Sequence, residues 1–128
     1  MAERSTGMEH AGWVLVVDDD PEMRDSLSGF LQSQGFPVLP ARDGATAQAL
    51  LRQNHRPGVI LLDLVLPDTS GLQLLPQLRQ QAPDVPVVAM SLSLAQLAEA
   101  RAAGVEATLV KPFDPDEVLA IVARWLAQ

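Results

Sequence analysis

Charged side chains follow three of the apolar runs in this sequence, at the point where each run ends. Residues 13–17 lead into Asp18, Asp19 and Asp20, residues 59–62 lead into Asp63, and residues 108–110 lead into Lys111. Short apolar runs bounded by turn residues are typical of buried strands in a parallel sheet. Because ligands of such sheets bind beyond the carboxyl ends of the strands, we expect the carboxylates and the ammonium group to meet in one pocket.

The residue types at these positions suit the transfer of a phosphoryl group. Carboxylates that lie close together repel one another unless a cation lies among them, and Mg²⁺ prefers hard oxygen ligands. Lys111 supplies a point charge that can bind a phosphoryl oxygen, and Ser91, at the end of a fourth apolar run, can donate its hydroxyl to the same group. The set therefore predicts a Mg²⁺-dependent site that accepts a phosphoryl group, with Asp63 as the nucleophile.

Acidic residues that precede a helix also have an ordinary structural role, as N-caps and as favourable charges at the helix dipole. We favour that role for Asp20, which directly precedes Pro21. A role as N-cap explains Asp18 and Asp19 less well, because these two residues directly follow the apolar run and precede the capping residue. Asp63 is followed by residues 64–67, which are mostly apolar. Its surroundings in the sequence are therefore not those of a solvent-exposed charge in a loop.

Segments with strand and helix patterns alternate five times along the chain. The strand patterns cover residues 13–17, 36–39, 59–62, 86–90 and 108–110. The helix patterns open at Asp20-Pro21, Asp43-Gly44, Ser70-Gly71, Leu94 and Asp114-Pro115. This alternation predicts βαβ units with right-handed crossovers, and so an α/β fold with a parallel sheet.

A single domain over residues 13–128 accounts for the whole pattern. We expect residues 1–12 to form a disordered tail. A length of 128 residues with 48% hydrophobic residues suits a single core. Pro76 is the misfit, because it falls inside the third helix pattern and removes a backbone donor. We expect a late start or a kink of that helix at Pro76 rather than its loss.

Composition excludes several classes of function. The net charge of −7 argues against direct binding to nucleic acid, which needs a basic surface. The absence of cysteine excludes disulfides, thiolate catalysis and cysteine metal sites, and it fits a cytoplasmic protein. The sequence shows neither a signal peptide nor an apolar stretch long enough to span a membrane. His10 and His55 are expected to be solvent-exposed residues without a role in the chemistry.

Three motifs, in this order and spacing, resemble the receiver domain of two-component response regulators. They are Val16-Val17-Asp18-Asp19-Asp20-Pro21, Leu61-Leu62-Asp63-Leu64-Val65-Leu66-Pro67 with Gly71 after it, and Val110-Lys111-Pro112-Phe113. The resemblance extends from Trp13 to Leu126. It implies a doubly wound five-stranded parallel sheet with a flavodoxin-like (βα)5 topology and strand order 2-1-3-4-5.

The resemblance also implies a role for each residue of the expected site. Asp63 would be the phosphoacceptor. Asp19, Asp63 and the backbone carbonyl of Val65 would ligate Mg²⁺ directly, and Asp18 would act largely through water.

The same resemblance assigns Ser91 and Lys111 to the phosphoryl oxygens and makes the Lys111–Pro112 bond a cis peptide. The phosphoryl group would come from a sensor histidine kinase or a phosphotransfer protein. The domain would then be a phosphoacceptor in a phosphorelay rather than an enzyme. The cognate kinase, the output domain and the oligomeric state stay open, with a homodimer as one option.

The chain departs from the family pattern on one face. Thr108 stands where the family usually has an aromatic switch residue, and Leu92 stands where it prefers a small residue. The segment between Ser91 and Gly104 is shorter than is usual in the family. We therefore expect the phosphorylation chemistry to be retained, and signalling to proceed without the rotation of an aromatic ring.

Three other classes of protein are alternatives to this interpretation. A haloacid-dehalogenase-like phosphatase could begin its motif at Asp18-x-Asp20, but Glu22 occupies a position that this motif gives to Thr or Val. A dinucleotide-binding unit needs a glycine-rich turn after the first strand, where three aspartates would repel a pyrophosphate. A pseudo-receiver, which would act as a phosphorylation-independent interaction module, is the main competing hypothesis.

Overall fold

Five short apolar runs form one parallel sheet in the computed structural model, which describes residues 12–126. The strands are β1 (Val14–Val17), β2 (Val38–Ala41), β3 (Val59–Asp63), β4 (Val87–Ser91) and β5 (Ala107–Val110). They are ordered β2-β1-β3-β4-β5, and every neighbouring pair is parallel. The predicted topology and strand order are confirmed. The predicted tail, residues 1–12, lies outside the described residues except for Gly12.

Five helices connect the strands. They are α1 (Pro21–Ser33), α2 (Gly44–Gln53), α3 (Gly71–Gln81), α4 (Leu94–Ala102) and α5 (Pro115–Leu126). The side chains of Asp20, Asp43 and Ser70 each accept a hydrogen bond from a backbone N–H in the first turn of their helix. The N-cap role that we favoured for Asp20 is therefore confirmed.

The sheet is covered on both faces, as a doubly wound fold requires. Leu15 and Val17 pack into a buried cluster with residues of α2 and α3, whereas Val14 and Val16 pack into a second cluster with residues of α1 and α5. Helix α4 adds Leu97 to a smaller cluster. Because side chains alternate across a strand, all four residues of β1 are fully buried, which explains its continuous apolar sequence.

The structure corrects the predicted start of β2 and one of the two options expected for the third helix, which is retained as predicted. Strand β2 begins at Val38 rather than at residue 36, since Phe36 instead donates its N–H to Leu31 at the end of α1. Pro40, which interrupts the strand pattern, is tolerated because β2 is an edge strand. Helix α3 begins at Gly71 and not late, and it continues through the exposed Pro76.

Among the helices of residues 12–126, none is both long enough and apolar enough to cross a bilayer.

Candidate functional site

Three strand ends bring opposite charges together at the carboxyl edge of the sheet. Asp18 directly follows β1, Asp63 is the last residue of β3, and Lys111 directly follows β5. The Nζ atom of Lys111 lies 2.9 Å from Oδ2 of Asp18 and 3.1 Å from Oδ2 of Asp63. Lysine thus bridges two carboxylates that come from distant parts of the sequence, as the strand-end pattern predicted.

The site is shielded from water, and the pKa values of Asp63 and Lys111 are shifted there. Asp18 is completely buried, and Asp63 is only 5% exposed. Burial raises the pKa of Asp63, although the backbone N–H of Val65 and the charge of Lys111 act in the opposite direction. Burial by itself would lower the pKa of Lys111, but the hydrogen bond to Asp18 and the charges of both carboxylates more than offset this and raise it.

A third carboxylate makes the cluster strongly negative. Asp19 is exposed, and it can place a carboxylate oxygen within 4.8 Å of oxygens of Asp18 and Asp63. The cluster therefore holds three carboxylates and one ammonium group, and that group pairs with Asp18 and Asp63. Oxygen donors with a surplus of negative charge fit a hard divalent cation such as Mg²⁺. The donor set is an acidic pocket that could bind a metal ion.

The loop after Asp63 holds this carboxylate in place. The backbone N–H of Val65 donates to Oδ1 of Asp63 over 3.0 Å, and the N–H of Gly71 donates to the carbonyl of Leu64 over 2.9 Å. A Cβ atom on Gly71 would lie 2.7 Å from the carbonyl oxygen of Asp63 and 2.8 Å from Cα of Leu64. Helix α3 can approach β3 this closely only because residue 71 is glycine.

Asp18 is anchored by its own loop and by helix α1. Its Oδ1 atom accepts the backbone N–H of Asp20 over 3.0 Å, and its carbonyl oxygen accepts from Arg24 over 2.9 Å. Its N–H donates to Ala41 of β2 over 3.0 Å. Both carboxylate oxygens of Asp18 are therefore bound, one to the loop and the other to Lys111.

The hydroxyl of Ser91 is buried and bound to a residue that we did not predict. It donates to Oε1 of Gln96 over 2.6 Å and accepts the backbone N–H of Ser93 over 2.9 Å. A signal for Gln96 was present, since Ser93-x-x-Gln96 has the spacing of a capping box. Only one of the two hydrogen bonds of a capping box forms. The hydroxyl of Ser93 accepts the backbone N–H of Gln96, but the side chain of Gln96 binds Ser91 and not the backbone of Ser93.

The two residues that depart from the family pattern lie near opposite ends of helix α4. The hydroxyl of Thr108 accepts a hydrogen bond from Nη1 of Arg101 on α4 over 2.9 Å. Leu92 is 76% exposed and Leu94 is 68% exposed. The segment after β4 therefore presents apolar side chains to solvent close to the site.

One small cleft collects most of the residues predicted from the sequence. It is lined by Asp19, Asp63, Val65, Ser91, Leu92, Ser93, Gln96 and Lys111. Asp18 does not line this cleft, but it contacts Lys111 directly. The Lys111–Pro112 peptide bond is cis, as the resemblance implied. His55 lies elsewhere, and its carbonyl accepts a hydrogen bond from the indole of Trp13.

Comparisons with known proteins agree with this geometry. The family model of the response regulator receiver domain matches residues 14–123. The Mycobacterium tuberculosis protein named "Probable transcriptional regulatory protein TcrX" is 40% identical over 83% of this chain and 46% of its own length. "Response regulator Rre1" of Synechocystis is 37% identical over 90% of this chain and 52% of its own length. The chain thus spans about half the length of these curated relatives.

Two solved structures match over nearly their whole length. The Vibrio cholerae chemotaxis protein CheY4 has a TM-score of 0.81 and 32% identity, covering 90% of this chain and 98% of that one. The receiver domain of NtrX from Brucella abortus has a TM-score of 0.82 and 30% identity, with the same two coverages of 90% and 98%. The described fold is therefore that of a receiver domain.

Proposed function

The chain belongs to the response regulator receiver domains, which act in two-component signalling, and on this premise we propose that Asp63 accepts a phosphoryl group. The observation that carries the proposal is the placement of Asp63 in a cleft, 3.1 Å from the ammonium group of Lys111. A carboxylate oxygen of Asp63 attacks phosphorus. The bond from phosphorus to the donor breaks, and the donor leaves with the electron pair of that bond.

Lys111 and Ser91 bind the phosphoryl oxygens in this proposal. The Lys111 ammonium already lies against the oxygen of Asp63 that points into the cluster, so its charge stands beside the site where negative charge is added. Ser91 is 2% exposed and lines the same cleft, from which its hydroxyl can donate one hydrogen bond.

The metal in this proposal is Mg²⁺, which Asp19, Asp63 and the carbonyl of Val65 would hold directly and Asp18 would hold largely through water. The surplus of carboxylates over the single ammonium supports a divalent cation, and all-oxygen donors favour a hard one. When bound, Mg²⁺ neutralises charge on the phosphoryl oxygens. Lys111, which is itself bound to Asp18, and the backbone N–H of Val65 hold the carboxylate of Asp63 in position.

The phosphoryl donor in this proposal is the phosphohistidine of a sensor histidine kinase or of a phosphotransfer protein. The domain is then a phosphoacceptor and not an enzyme in its own right. We place the domain in the cytoplasm, because that is the compartment in which such kinases bind ATP. The net charge of −7 supports contact with a protein partner rather than with nucleic acid. Any output belongs to further parts of the protein or to its partners.

Mass spectrometry of the intact protein tests the assignment of Asp63. After incubation with acetyl phosphate and Mg²⁺, we expect one added phosphoryl group that is lost under mild alkali, as an acyl phosphate is. Asp63→Asn should remove it, whereas Asp68→Asn, which changes an exposed carboxylate of the next loop, should leave it unchanged. Labelling that persists in Asp63→Asn contradicts the assignment, and an unlabelled parent protein favours the pseudo-receiver.

Thermal unfolding tests the metal separately. Mg²⁺ stabilises the native state by mass action if its site exists only in the folded chain. Millimolar Mg²⁺ should therefore raise the melting temperature of the parent protein, and it should do so much less in Asp19→Ala. Asp25→Ala, on the exposed surface of α1, is the matched control and should behave as the parent. An equal rise in Asp19→Ala would place the metal elsewhere.

A further inference from the structure

The start of helix α4 is connected to the cleft by a closed set of hydrogen bonds. Ser91 Oγ accepts the N–H of Ser93 and donates to the side chain of Gln96, and Ser93 Oγ accepts the N–H of Gln96 over 3.2 Å. The carbonyl of Ser93 accepts the N–H of Leu97, whose side chain is buried. A change at the Ser91 hydroxyl therefore acts directly on the first turn of α4.

The hydroxyl of Ser91 has one proton, and in this structure that proton is bound to Gln96. A serine hydroxyl donates a single hydrogen bond, whereas a phosphoryl oxygen only accepts. Ser91 can therefore not donate to Gln96 and to a phosphoryl oxygen at the same time. If the hydroxyl turns into the cleft, Oε1 of Gln96 loses its donor.

We propose that Gln96 is the positioning residue that transmits the phosphorylation state of the cleft to helix α4. The inference rests on the proposed function of Asp63 and names the regulation of that same site. When Ser91 donates to a phosphoryl oxygen, the Gln96 side chain is released and rotates its amide N–H toward Ser91 or toward the cleft that it lines. The first turn of α4 and the exposed Leu92 and Leu94 then rearrange.

The far end of α4 explains why the movement is confined to its start. Arg101 donates to the hydroxyl of Thr108 on β5, and Ala100 is completely buried. Thr108 is small and stiff at χ1, so it does not fill space vacated near the cleft as a ring would. The Ser91–Gln96 hydrogen bond supplies a connection between cleft and helix that does not depend on residue 108.

Backbone amide NMR shifts, recorded with and without saturating beryllofluoride and Mg²⁺, test this role. In the parent protein we expect shifts beside Asp63 and also through residues 91–97. Gln96→Ala should keep the shifts beside Asp63 and lose most of those in residues 94–97. Glu99→Ala, an exposed change one turn further along α4, is the matched control and should respond as the parent does.

The affinity of Gln96→Ala for beryllofluoride provides a second measurement. This variant removes the acceptor that holds the Ser91 hydroxyl and adds no charge, so the hydroxyl is free to donate into the cleft and the dissociation constant should fall about threefold. A residue that only caps the helix would change the melting temperature without changing this constant. Equal shifts in residues 94–97 of Gln96→Ala and the parent overturn the role of Gln96 while leaving Asp63 as the phosphoacceptor. A parent protein that shows no response at Asp63 contradicts both proposals.

Discussion

Two clusters of charged side chains lie at opposite edges of the same sheet, and they are built differently. At the carboxyl edge, Lys111 pairs with Asp18 and Asp63, and the carboxylate of Asp19 lies close to both of theirs. At the amino edge, where β4 and β5 begin, Arg79 pairs with Glu106 over 3.0 Å. We refer to these as the site cluster and the clamp cluster.

The clamp cluster balances its charges and satisfies its donors. Arg79 donates to the carbonyls of Val85 and Gly104 as well as to Glu106, and Oε1 of Glu106 also accepts the backbone N–H of Val87. One cation meets one anion, and the pair ties the end of α3 to the starts of β4 and β5. Such a closed set of contacts stabilises the fold.

The site cluster keeps a surplus of two negative charges. Burial has already raised the pKa of Asp63 there, so the native state holds this carboxylate at a cost. That surplus is what a divalent cation can relieve. In this protein the binding site differs from the structural clamp in the net charge of its cluster more than in the number of its ion pairs.

The largest expected effect comes from the backbone that supports the site cluster. Gly71→Ala places a methyl carbon closer to the backbone of Asp63 and Leu64 than van der Waals contact allows. We therefore expect a loss of about 3 kcal/mol in the free energy of unfolding. Urea denaturation measures it. Gly29→Ala is the matched control, since its Cβ would meet nothing within 4 Å, and this exposed helical position should gain about 0.5 kcal/mol. Equal stability of both variants would show that the carboxyl edge is not tightly packed.

The clamp cluster predicts the next effect. Arg79→Ala removes three hydrogen bonds of a half-buried guanidinium, and we expect a loss of about 2 kcal/mol in the free energy of unfolding. Arg56→Ala at the same edge breaks only the exposed pair with Asp84 and should cost less than about 0.5 kcal/mol. If the two losses are alike, Arg79 is an ordinary surface cation and the comparison between the clusters fails.

The smallest effect has opposite signs in the two clusters. Without metal, Asp63→Asn should stabilise the fold by about 1 kcal/mol, because it removes one of three mutually repelling carboxylates and keeps an acceptor for Val65. Glu106→Gln should destabilise it by about 0.5 kcal/mol, because it leaves Arg79 without its counterion. Melting temperatures in metal-free buffer at neutral pH compare them. A lower melting temperature for Asp63→Asn would show that the site cluster carries no electrostatic cost.

The pH dependence checks the cause of that stabilisation. Since the pKa of Asp63 is raised in the native state, ionisation of this carboxyl opposes folding at neutral pH, and the cost disappears as the pH falls below the usual pKa of an aspartate. The difference in melting temperature between Asp63→Asn and the parent should therefore be largest at neutral pH and should shrink in acid. A difference that does not depend on pH would point to packing instead of charge.

Local features of the sequence predicted most elements well. Asp43 and Ser70 begin helices as N-caps, because capping needs only an oxygen acceptor two or three residues before a free N–H. The bounds of β2 could not be predicted in this way. Pro40 argues against a strand locally, and it is accepted only because the unpaired side of an edge strand needs no donor.

The sequence by itself determined which groups stand at the ends of the buried strands. The topology of a parallel sheet brings such ends to one edge, so Asp18, Asp63 and Lys111 could be predicted to meet. Only the tertiary structure decided that Gln96 binds the hydroxyl of Ser91 and that Arg79 clamps the opposite edge. Those contacts depend on how helices pack on the sheet and on which rotamer each long side chain adopts, and neither is encoded in the local pattern of residues.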